Sequence, residues 1–437
     1  MKQITLYRPV GQKEFDLIKT SGFKRFPPRL EWQPIFYPVM NQQYAEQIAN
    51  DWNTNDAFSG YIGYVLAFDM NEDFLQKYAV QNVGGEIHNE LWVPAEELEE
   101  FNDHIIADIR VLKIFKGDKH QEINKIKGAL FGLAIGDALG VPAEFNKRNQ
   151  LKIRPVTDMT GYGTWNQPPG TWSDDSSLAF CLAETIAEGY SKNNLALKFI
   201  KWMNEGYWGA RHSVFDIGIT TRSAIGRLAG GVTPELAGGI FEEENGNGSL
   251  MRILPLVFLI ENLAIEQRFA LVKEVSSLTH AHFRSVFACF IYTELGTCLL
   301  KTKDQHSAYS EMKRLVNNFI QEHDFEQKEI HLFSRILRSD ITNIPVDEIN
   351  SSGYVIHTLE AAIWCLLNSQ NYADAVLTAV NLGEDTDTTA CVTGGLAGIV
   401  YGFETIPDKW ISMLARADDI SKLSENLNKK ITMKETA

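Results

Sequence analysis

The sequence predicts a multidomain chain in which a small α+β domain is followed by an all-α domain. At 437 residues the chain exceeds the usual size of a single hydrophobic core. Its first part mixes strand-like runs with short helices, whereas its later part carries apolar residues at helical spacing. A polar joint at residues 118–121 separates these two sequence patterns, so the expected domains are residues 1–117 and 118–437.

The first domain is expected to contain strands and a few short helices. Apolar and aromatic runs predict strands over residues 4–10, 61–68, 78–83, 90–93 and 109–115. Helical spacing predicts helices over residues 13–21 and 44–52, and residues 94–97 begin another. This mixture indicates a small α+β domain that ends near Gly117.

The second domain lacks convincing strand alternation, and its apolar residues recur with the period of a helix. This spacing predicts helices over residues 123–139, 178–190, 195–204, 264–278, 285–300, 309–321, 357–367 and 372–382. We therefore expect an all-α body.

Composition and charge narrow the classes of function. Hydrophobic residues make up 44% of the chain and charged residues 22%, as in ordinary soluble globular proteins. The formal net charge of −15 argues against a protein that coats nucleic acid, because such proteins normally present a basic face. A nucleotide ligand held by a metal ion and by backbone groups remains compatible with this charge.

Cysteine usage and the first residues indicate a cytoplasmic protein. The five cysteines lack C-x-x-C spacing and mostly lie in apolar helical segments, so we expect reduced, buried thiols. The start of the chain has no signal-peptide pattern, and no apolar run approaches membrane-spanning length. A membrane partner is therefore not expected.

Two acidic clusters stand at the starts of predicted helices. Residues 383–390 read Gly-Glu-Asp-Thr-Asp-Thr-Thr-Ala, and residues 172–177 read Trp-Ser-Asp-Asp-Ser-Ser. Carboxylates and hydroxyls are the ligands that hard cations such as Mg²⁺ prefer. The same residue types are ordinary helix caps. If the clusters face one another across a bundle, they could hold a pair of ions.

A glycine-rich helix precedes these clusters. Residues 128–144 contain four glycines within the predicted helix, a cost that close backbone packing would explain. The simpler interpretation is a tightly packed helix with its C-terminal turn. The functional one is that this turn projects Glu144 toward the metal ions as a gate or a base.

Three further segments carry polar groups of uncertain role. Residues 245–252 form a glycine-rich loop that could offer backbone N–H groups to a phosphate, or could simply be flexible. The two imidazoles of residues 279–282 would diverge on a helix, so capping or core hydrogen bonding is favoured over metal ligation. Asp216 lies among apolar neighbours, where it is either a cap or a catalytic acid or base.

Taken together, seven motifs in order resemble the ADP-ribosylglycohydrolase family, which includes dinitrogenase-reductase-activating glycohydrolase and the J1 crystallins. The likeness covers about residues 123–415. The motifs are G-D-A-L-G-V-P-A-E (136–144), W-S-D-D-S (172–176), F-D-I-G (215–218), G-N-G-S-L-M-R (246–252), T-H-A-H (279–282), G-Y-V-I-H-T-L-E-A-A (353–362) and G-E-D-T-D-T-T-A (383–390).

The resemblance implies an all-α fold and a binuclear Mg²⁺ centre, with Mn²⁺ as an alternative ion. The implied metal ligands are Ser173, Asp174, Asp175, Asp385, Asp387 and Thr388. The implied catalytic carboxylates are Glu144, Asp216 and Asp175. The implied substrate contacts are Asn247, Gly248, Ser249, His280 and Tyr354.

The implied activity is hydrolysis that releases ADP-ribose from a modified substrate, above all ADP-ribosyl-arginine on protein. Cleavage passes through a cationic, oxocarbenium-like ribose that carboxylates stabilise. Other linkages, including serine-linked ADP-ribose, O-acetyl-ADP-ribose and modified nucleic-acid bases, stay open. So do a non-catalytic ADP-ribose binder or structural homologue, and a Mg²⁺-dependent hydrolase of a phosphoester or nucleotide derivative.

Three positions depart from the family pattern. Ser173 stands where Thr is common, which keeps the hydroxyl. Glu384 replaces the usual second glycine and adds a charge beside the expected metals. His357 stands where Asp is frequent, which we interpret as a packing detail.

Residues 1–117 resemble a small bacterial domain that occurs alone or fused to this hydrolase. Tyr7 with Arg8, the strand bearing Tyr61 and Tyr64, and Glu90 are faintly similar to the Arg, aromatic strand and Glu of ADP-ribosyltransferases. One hypothesis is a transferase-like or target-recognition module. The favoured alternative is that these are ordinary strand and surface residues.

Overall fold

The computed structural model describes residues 2–302 and 304–435. The chain divides into two compact units, Met1–Glu122 and Ile123–Ala437, which are treated separately below. A small region with β-sheets therefore precedes a helical body, as the sequence predicts.

The N-terminal unit combines short strands and short helices. Its strands are β1 (Gln3–Val10), β2 (Ile35–Phe36), β3 (Ile62–Asn71), β4 (Val80–Asn82), β5 (Asn89–Leu91), β6 (Val93–Pro94) and β7 (Arg110–Lys116). Its helices are α1 (Gln12–Thr20), α2 (Gln42–Gln47), α3 (Glu72–Leu75) and α4 (Leu98–Asp103). A π-helical turn, Ile48–Trp52, extends α2.

The centre of this unit is strand β3, which pairs antiparallel with β1 on one side and β7 on the other. Because β3 is covered on both faces, its first seven residues are buried. Phe26, Phe36, Phe68 and Phe101 pack around it, with ring centroids 4.9 to 6.0 Å apart. Isolated β-bridges join Val39 to Tyr7 of β1 and to Glu90 of β5. Val39 therefore lies between these two strands.

The described part of the second unit consists of helices and connecting loops and contains no strands, apart from isolated bridges. Its helices are α5 (Asp118–Gly140), α6 (Arg148–Ile153), α7 (Asp174–Gly189), α8 (Lys192–Glu205), α9 (Ile219–Ala229), α10 (Pro234–Ala237), α11 (Val257–Ile260), α12 (Ile265–Ser277), α13 (Phe283–Lys301), α14 (Gln305–Glu322), α15 (Gln327–His331), α16 (Ser334–Leu337), α17 (Val355–Leu367), α18 (Tyr372–Asn381), α19 (Thr386–Tyr401), α20 (Asp408–Met413) and α21 (Ala417–Glu435). All eight helices predicted from the spacing of apolar residues are present.

A seam of small residues joins α5 to α19. The four glycines of α5 lie one turn apart, at positions 128, 132, 136 and 140. A Cβ atom on any of them would lie less than 3.0 Å from the backbone of α19, whereas ordinary contact begins at 3.4 Å. The backbone atoms that they meet belong, in antiparallel order, to Gly398, Gly394, Ala390 and Asp387. Glycine therefore lets two helices touch backbone to backbone, and the seam ends at Asp387.

Among the described residues, two helices are long and apolar enough to cross a membrane by length and composition, which corrects the expectation that no segment reaches that length. They are Asp118–Ala143 and Phe283–Lys301, and their apolar windows are 89% and 83% buried inside the structure. This burial indicates that the first helix is apolar because it packs in the core.

Two local predictions differ from the structure. Residues 118–121 are the first turn of α5 rather than a joint, because Asp118 suits a helix start and Gln121 N–H already bonds the Gly117 carbonyl. Residues 279–282 lie between α12 and α13 rather than on a helix, and His282 caps α13 through Arg284 N–H. All five cysteines are buried and free, as expected.

Candidate metal centre

The first acidic cluster is fixed at the start of α7. Ser173 is the N-cap residue, and its hydroxyl oxygen accepts from Asp175 N–H at 3.3 Å. The buried carboxylate of Asp137 on α5 holds this turn: it accepts from Ser173 N–H at 2.9 Å, from Ser176 N–H at 3.1 Å and from the Ser176 hydroxyl at 2.6 Å. As a result, Asp174 and Asp175 are only 4% and 1% exposed.

The second acidic cluster opens α19 and meets the first. Asp387 and Thr388 are buried, and Asp385 occupies the N-cap position. The Thr388 hydroxyl donates to Asp175 Oδ1 at 3.4 Å across the two helix starts. The Thr386 hydroxyl donates to the Gly140 carbonyl at 2.8 Å, where the glycine seam ends. Residues more than two hundred positions apart thus share one pocket of carboxylates and hydroxyls.

Glu144 lies beside the second cluster. Its carboxylate, together with those of Asp385 and Asp387, offers oxygen atoms that all lie within 4.8 Å of one another. The indole N–H of Trp165 donates to Glu144 Oε2. Two backbone hydrogen bonds join the turn that carries Glu144 to the loop before α19. Phe145 N–H donates to the Glu384 carbonyl, and Glu384 N–H donates to the Asn146 carbonyl, each at 2.7 Å.

Asp216 approaches the centre from the segment before α9, with a left-handed backbone at φ +56°. Phe145 and Glu384 also have positive φ, at +66° and +60°. Non-glycine residues in this region carry strain, which is typical of functional sites. Three strained positions therefore surround the carboxylates.

Burial and mutual repulsion shift every carboxyl of the group in one direction. Burial, reinforced by the Asp216 charge, raises the pKa of Glu144 to about 9, and burial raises that of Asp216 to about 6. Burial also raises the pKa values of Asp174, Asp175 and Asp387 well above the usual range, and it raises that of Asp385. Carboxylates crowded in this way require a compensating positive charge to ionise together.

Several buried carboxylate oxygens have no hydrogen-bond partner, which shows whether the site suits a cation. Oδ2 of Asp175, Oδ1 of Asp385 and Oδ2 of Asp387 are buried without a hydrogen-bond partner. Unpaired buried carboxylate oxygens are costly unless an ion or a proton binds them. The donors are all oxygen, which suits Mg²⁺ or Mn²⁺. The residues present therefore fit a hard divalent cation.

Asp137 is a residue that the sequence analysis quoted within a motif but did not assign. Both of its oxygens are already used by Ser173 and Ser176, although its carboxylate also lies within 4.8 Å of a carboxylate oxygen of Asp175. Burial raises its pKa to about 7. We therefore interpret Asp137 as a positioning residue for the Ser173 turn. In the sequence, the signal for this role was a single acidic residue among apolar residues of a predicted helix.

The glycine-rich loop lies against the same centre. Asn247 donates to Asp385 Oδ2 and to the Thr358 hydroxyl, each at 2.9 Å. Gly246 bridges Tyr354 at the start of α17, and Tyr354 is half-buried. A side-chain carbon on Gly248 would clash with His280 and Thr221, so glycine is required there. Asn247, Gly248, His280 and Tyr354 are thus brought together around the loop.

Ser249 differs from its neighbours in the loop. Its side chain is fully buried, and its hydroxyl accepts from Ser276 at 3.0 Å and contacts Cys289 Sγ at 3.4 Å. This hydroxyl therefore faces the core, and the substrate contact implied for Ser249 stays a prediction.

A hydrogen-bond chain fixes the protonation of His280. Arg252 Nη2 donates to the Thr279 hydroxyl oxygen at 2.9 Å, and that hydroxyl lies 2.8 Å from His280 Nδ1. The buried Thr279 hydroxyl needs an acceptor for its own hydrogen, and Nδ1 is the acceptor within reach, so we interpret the imidazole proton as lying on Nε2. Burial, with the Arg252 charge, lowers the pKa of His280 to about 3. Its Nε2–H is then a neutral donor beside Gly246 and Gly248.

The structure shows the surroundings of Glu384 and His357, two of the positions that depart from the family pattern. Glu384 occupies a left-handed position, which is the conformation that glycine adopts most easily. His357 Nδ1 bonds the Ser352 hydroxyl at 2.7 Å, and its ring meets Tyr354 edge-on at 5.1 Å. His357 therefore supports Tyr354 by packing.

Comparison with known proteins identifies the family of the chain. A family model described as ADP-ribosylglycohydrolase matches residues 118–437. ADP-ribosylarginine hydrolase Tri1 of Serratia proteamaculans (strain 568) is 36% identical over 319 residues, which is 70% of this chain and 80% of that protein. The ADP-ribosyl-(dinitrogen reductase) glycohydrolase of Rhodospirillum rubrum is 26% identical over 294 residues, 66% of this chain and 89% of that protein.

One solved structure extends the likeness to three dimensions. A chain described as an ADP-ribosylglycohydrolase-related protein complex matches with a TM-score of 0.59 and 28% identity, covering 71% of this chain and 99% of that one. From these matches and the ordered motifs, the chain belongs to the ADP-ribosylglycohydrolase family.

Proposed function

We propose that this chain is a Mg²⁺-dependent hydrolase that releases ADP-ribose from a modified substrate, with ADP-ribosyl-arginine on protein as the first candidate. The observation that carries the proposal is the convergence of two helix starts whose buried carboxylate oxygens lack partners. The names of the Serratia relative and of the Rhodospirillum relative support the choice of substrate.

In this proposal two ions are held by the two clusters. Their ligands would be Ser173, Asp174, Asp175, Asp385, Asp387 and Thr388. When bound, the ions supply positive charge that lets the carboxylates ionise together, polarise a water molecule and orient the ribose hydroxyls. Asp137 holds the backbone of the Ser173 turn, and Asn247 holds the Asp385 side chain, through the hydrogen bonds described above.

The reaction consumes one water molecule. The water oxygen forms a bond to ribose C1″ while the bond from C1″ to the guanidine nitrogen breaks, and its electron pair stays on that nitrogen. One proton of the water passes to a carboxylate, for which Glu144, Asp216 and Asp175 are the candidates, and then to the leaving nitrogen. The charges of the buried carboxylates stabilise the cationic ribose between these steps.

Substrate binding is assigned to the glycine-rich loop. Asn247 N–H already bonds the Gly353 carbonyl at 3.0 Å, so the donors that would suit the diphosphate are the N–H groups of Gly248 and Ser249 and the Nε2–H of His280. Tyr354 offers a ring and a hydroxyl at the rim of the same loop.

The test uses the full chain with ADP-ribosyl-arginine protein and Mg²⁺, with and without a chelator. The Asp385→Asn/Asp387→Asn variant is compared with Asp340→Asn/Asp347→Asn, which removes two exposed carboxylates elsewhere. We expect free ADP-ribose from the parent and the control, and a loss of at least a hundredfold in the first variant or with chelator.

Other products would redirect the assignment. Release of inorganic phosphate would favour a phosphoester hydrolase, and release only from serine-linked or base-linked conjugates would change the linkage. Binding of ADP-ribose without turnover of any conjugate would contradict the proposed activity and favour a binding protein.

A further inference from the structure

The N-terminal unit contains a cavity of about 650 Å³ that the proposed hydrolase does not use. This volume lies in the range of ordinary small-molecule sites. Its walls come from the end of β1, from α1, from residues 27–33, from residues 52–59 and from Glu90 on β5. Of the residues that resemble the ADP-ribosyltransferase pattern, Arg8 and Glu90 line this cavity. Tyr61 and Tyr64 do not line it.

Two buried arginines at this cavity share one carboxylate. Arg8 is 8% exposed and donates to both oxygens of Glu14, at 3.1 and 3.2 Å, and to the Tyr37 carbonyl at 3.0 Å. The Arg29 side chain is also 8% exposed, but its contact with the same Glu14 is an ion pair at 3.6 Å. Arg29 Nε has no hydrogen-bond partner. Two guanidinium groups therefore share the charge of one carboxylate at this wall of the cavity.

Burial and the neighbouring Arg8 charge lower the pKa of Arg29. A shift of this sign means that the cationic form of Arg29 is held at a cost in the unliganded unit. An anionic group on the ligand would remove that cost, and guanidinium groups match phosphate oxygens well in geometry.

The remaining wall is apolar and open to solvent. Trp52 is 63% exposed, Phe58 51%, Leu17 56% and Leu30 39%, and all four line the cavity. Large apolar side chains gathered around one cavity favour a ligand with a flat, apolar surface. Asn53 adds a buried side-chain oxygen without a partner, which can accept a hydrogen bond.

These features point to one chemical class. A simple anion would leave the aromatic wall bare, and an uncharged aromatic would leave Arg29 uncompensated. We propose that this cavity binds a nucleotide, with its phosphate at Arg29 and its base against Trp52 and Phe58. Glu90, 8% exposed, already accepts from the Trp92 indole at 2.6 Å and supplies a further acceptor for sugar hydroxyls.

Calorimetric titration of the full-length chain with AMP tests this proposal, with adenosine and ribose 5-phosphate as partial probes. The Asp385→Asn/Asp387→Asn chain serves as a second parent, so that the helical unit's own site is disabled. We expect one AMP site in both parents, with adenosine and ribose 5-phosphate at least tenfold weaker.

Two substitutions and one control locate the site. Arg29→Gln removes the spare charge, and Trp52→Ala removes an exposed ring whose loss has little effect on folding. Trp32→Ala is the matched control, because Trp32 is 71% exposed and does not line the cavity. We expect the AMP dissociation constant to rise at least tenfold in the first two variants and to stay unchanged in the third.

Four results would overturn the proposal. They are no AMP binding by the parents, unchanged binding in Trp52→Ala, loss of binding only in the Asp385→Asn/Asp387→Asn chain, and ribose 5-phosphate binding as tightly as AMP. Trp52→Ala keeps the test decisive if Arg29→Gln does not fold.

Discussion

The glycine seam between α5 and α19 gives a sharp prediction for Gly136→Ala. Position 136 lies one residue before Asp137 and faces the Ala390 carbonyl of α19. The added methyl group would lie less than 3.0 Å from that oxygen, so the two helices must separate or bend. The same change at Gly226 in α9 meets nothing within 4 Å, so Gly226→Ala is a matched control.

The two substitutions differ only in packing. Replacing a helical glycine by alanine stabilises a helix by about 0.5–1 kcal/mol, which is the expected effect at Gly226. At Gly136 the same gain is set against an overpacking cost of typically about 1–3 kcal/mol, or more where both partners are backbone. We therefore expect Gly136→Ala to lower the free energy of unfolding by about 2 kcal/mol relative to the parent.

Urea unfolding followed by far-ultraviolet circular dichroism measures both effects. Gly136→Ala should move the transition of the helical unit to lower urea, and Gly226→Ala should move it slightly higher. Hydrolase activity of Gly136→Ala should fall as well, because Asp137 and Asp387 lie at this end of the seam. If Gly136→Ala is as stable as Gly226→Ala, the inference that close backbone contact with α19 excludes a side chain at position 136 is wrong.

Three further changes test the centre and its surroundings. Glu384→Gly should stabilise the chain by about 1 kcal/mol because it relieves a left-handed backbone, whereas Glu384→Gln should not; urea midpoints distinguish them. Added Mg²⁺ at a hundred times its dissociation constant should stabilise the parent by about 2.7 kcal/mol in thermal melts, and Asp385→Asn/Asp387→Asn should abolish this gain while stabilising the ion-free chain. His280 stays neutral in the fold down to about pH 3 but protonates near its ordinary pKa when unfolded, so its contribution to stability falls as the pH drops below 6.5. Between pH 7 and 5 this loss is about 2 kcal/mol, and His280→Asn should lack it in urea unfolding at the two pH values; an unchanged pH dependence would contradict the buried neutral imidazole.

The helical body and its motifs were predictable because their signals are local. The apolar spacing of α7, α13 and α14 identifies each helix without reference to its neighbours. Capping residues such as Ser173 and Asp385 likewise mark helix starts within a few positions. The four glycines of α5 indicated close backbone packing, although not the partner helix.

Errors arose where the outcome depended on distant residues. The polar residues 118–121 predict a joint, yet they form a helical turn because α5 continues into a buried core. The motif around Ser249 likewise does not reveal that its hydroxyl contacts Ser276 and Cys289, and the substrate contact of Ser249 stays a prediction. Asp137 received no role because its partners on α7 are 36 and 39 positions away.

The sequence by itself determined the order of the motifs, the family and the oxygen-rich chemistry of the two acidic clusters, because residue type and short spacing fix these properties. Only the tertiary structure decided which carboxylate oxygens stay unpaired, which groups surround His280 and where two arginines of the N-terminal unit share one carboxylate. Hydrogen-bond pairing and burial are set by contacts between segments far apart in the chain, and no local pattern encodes them.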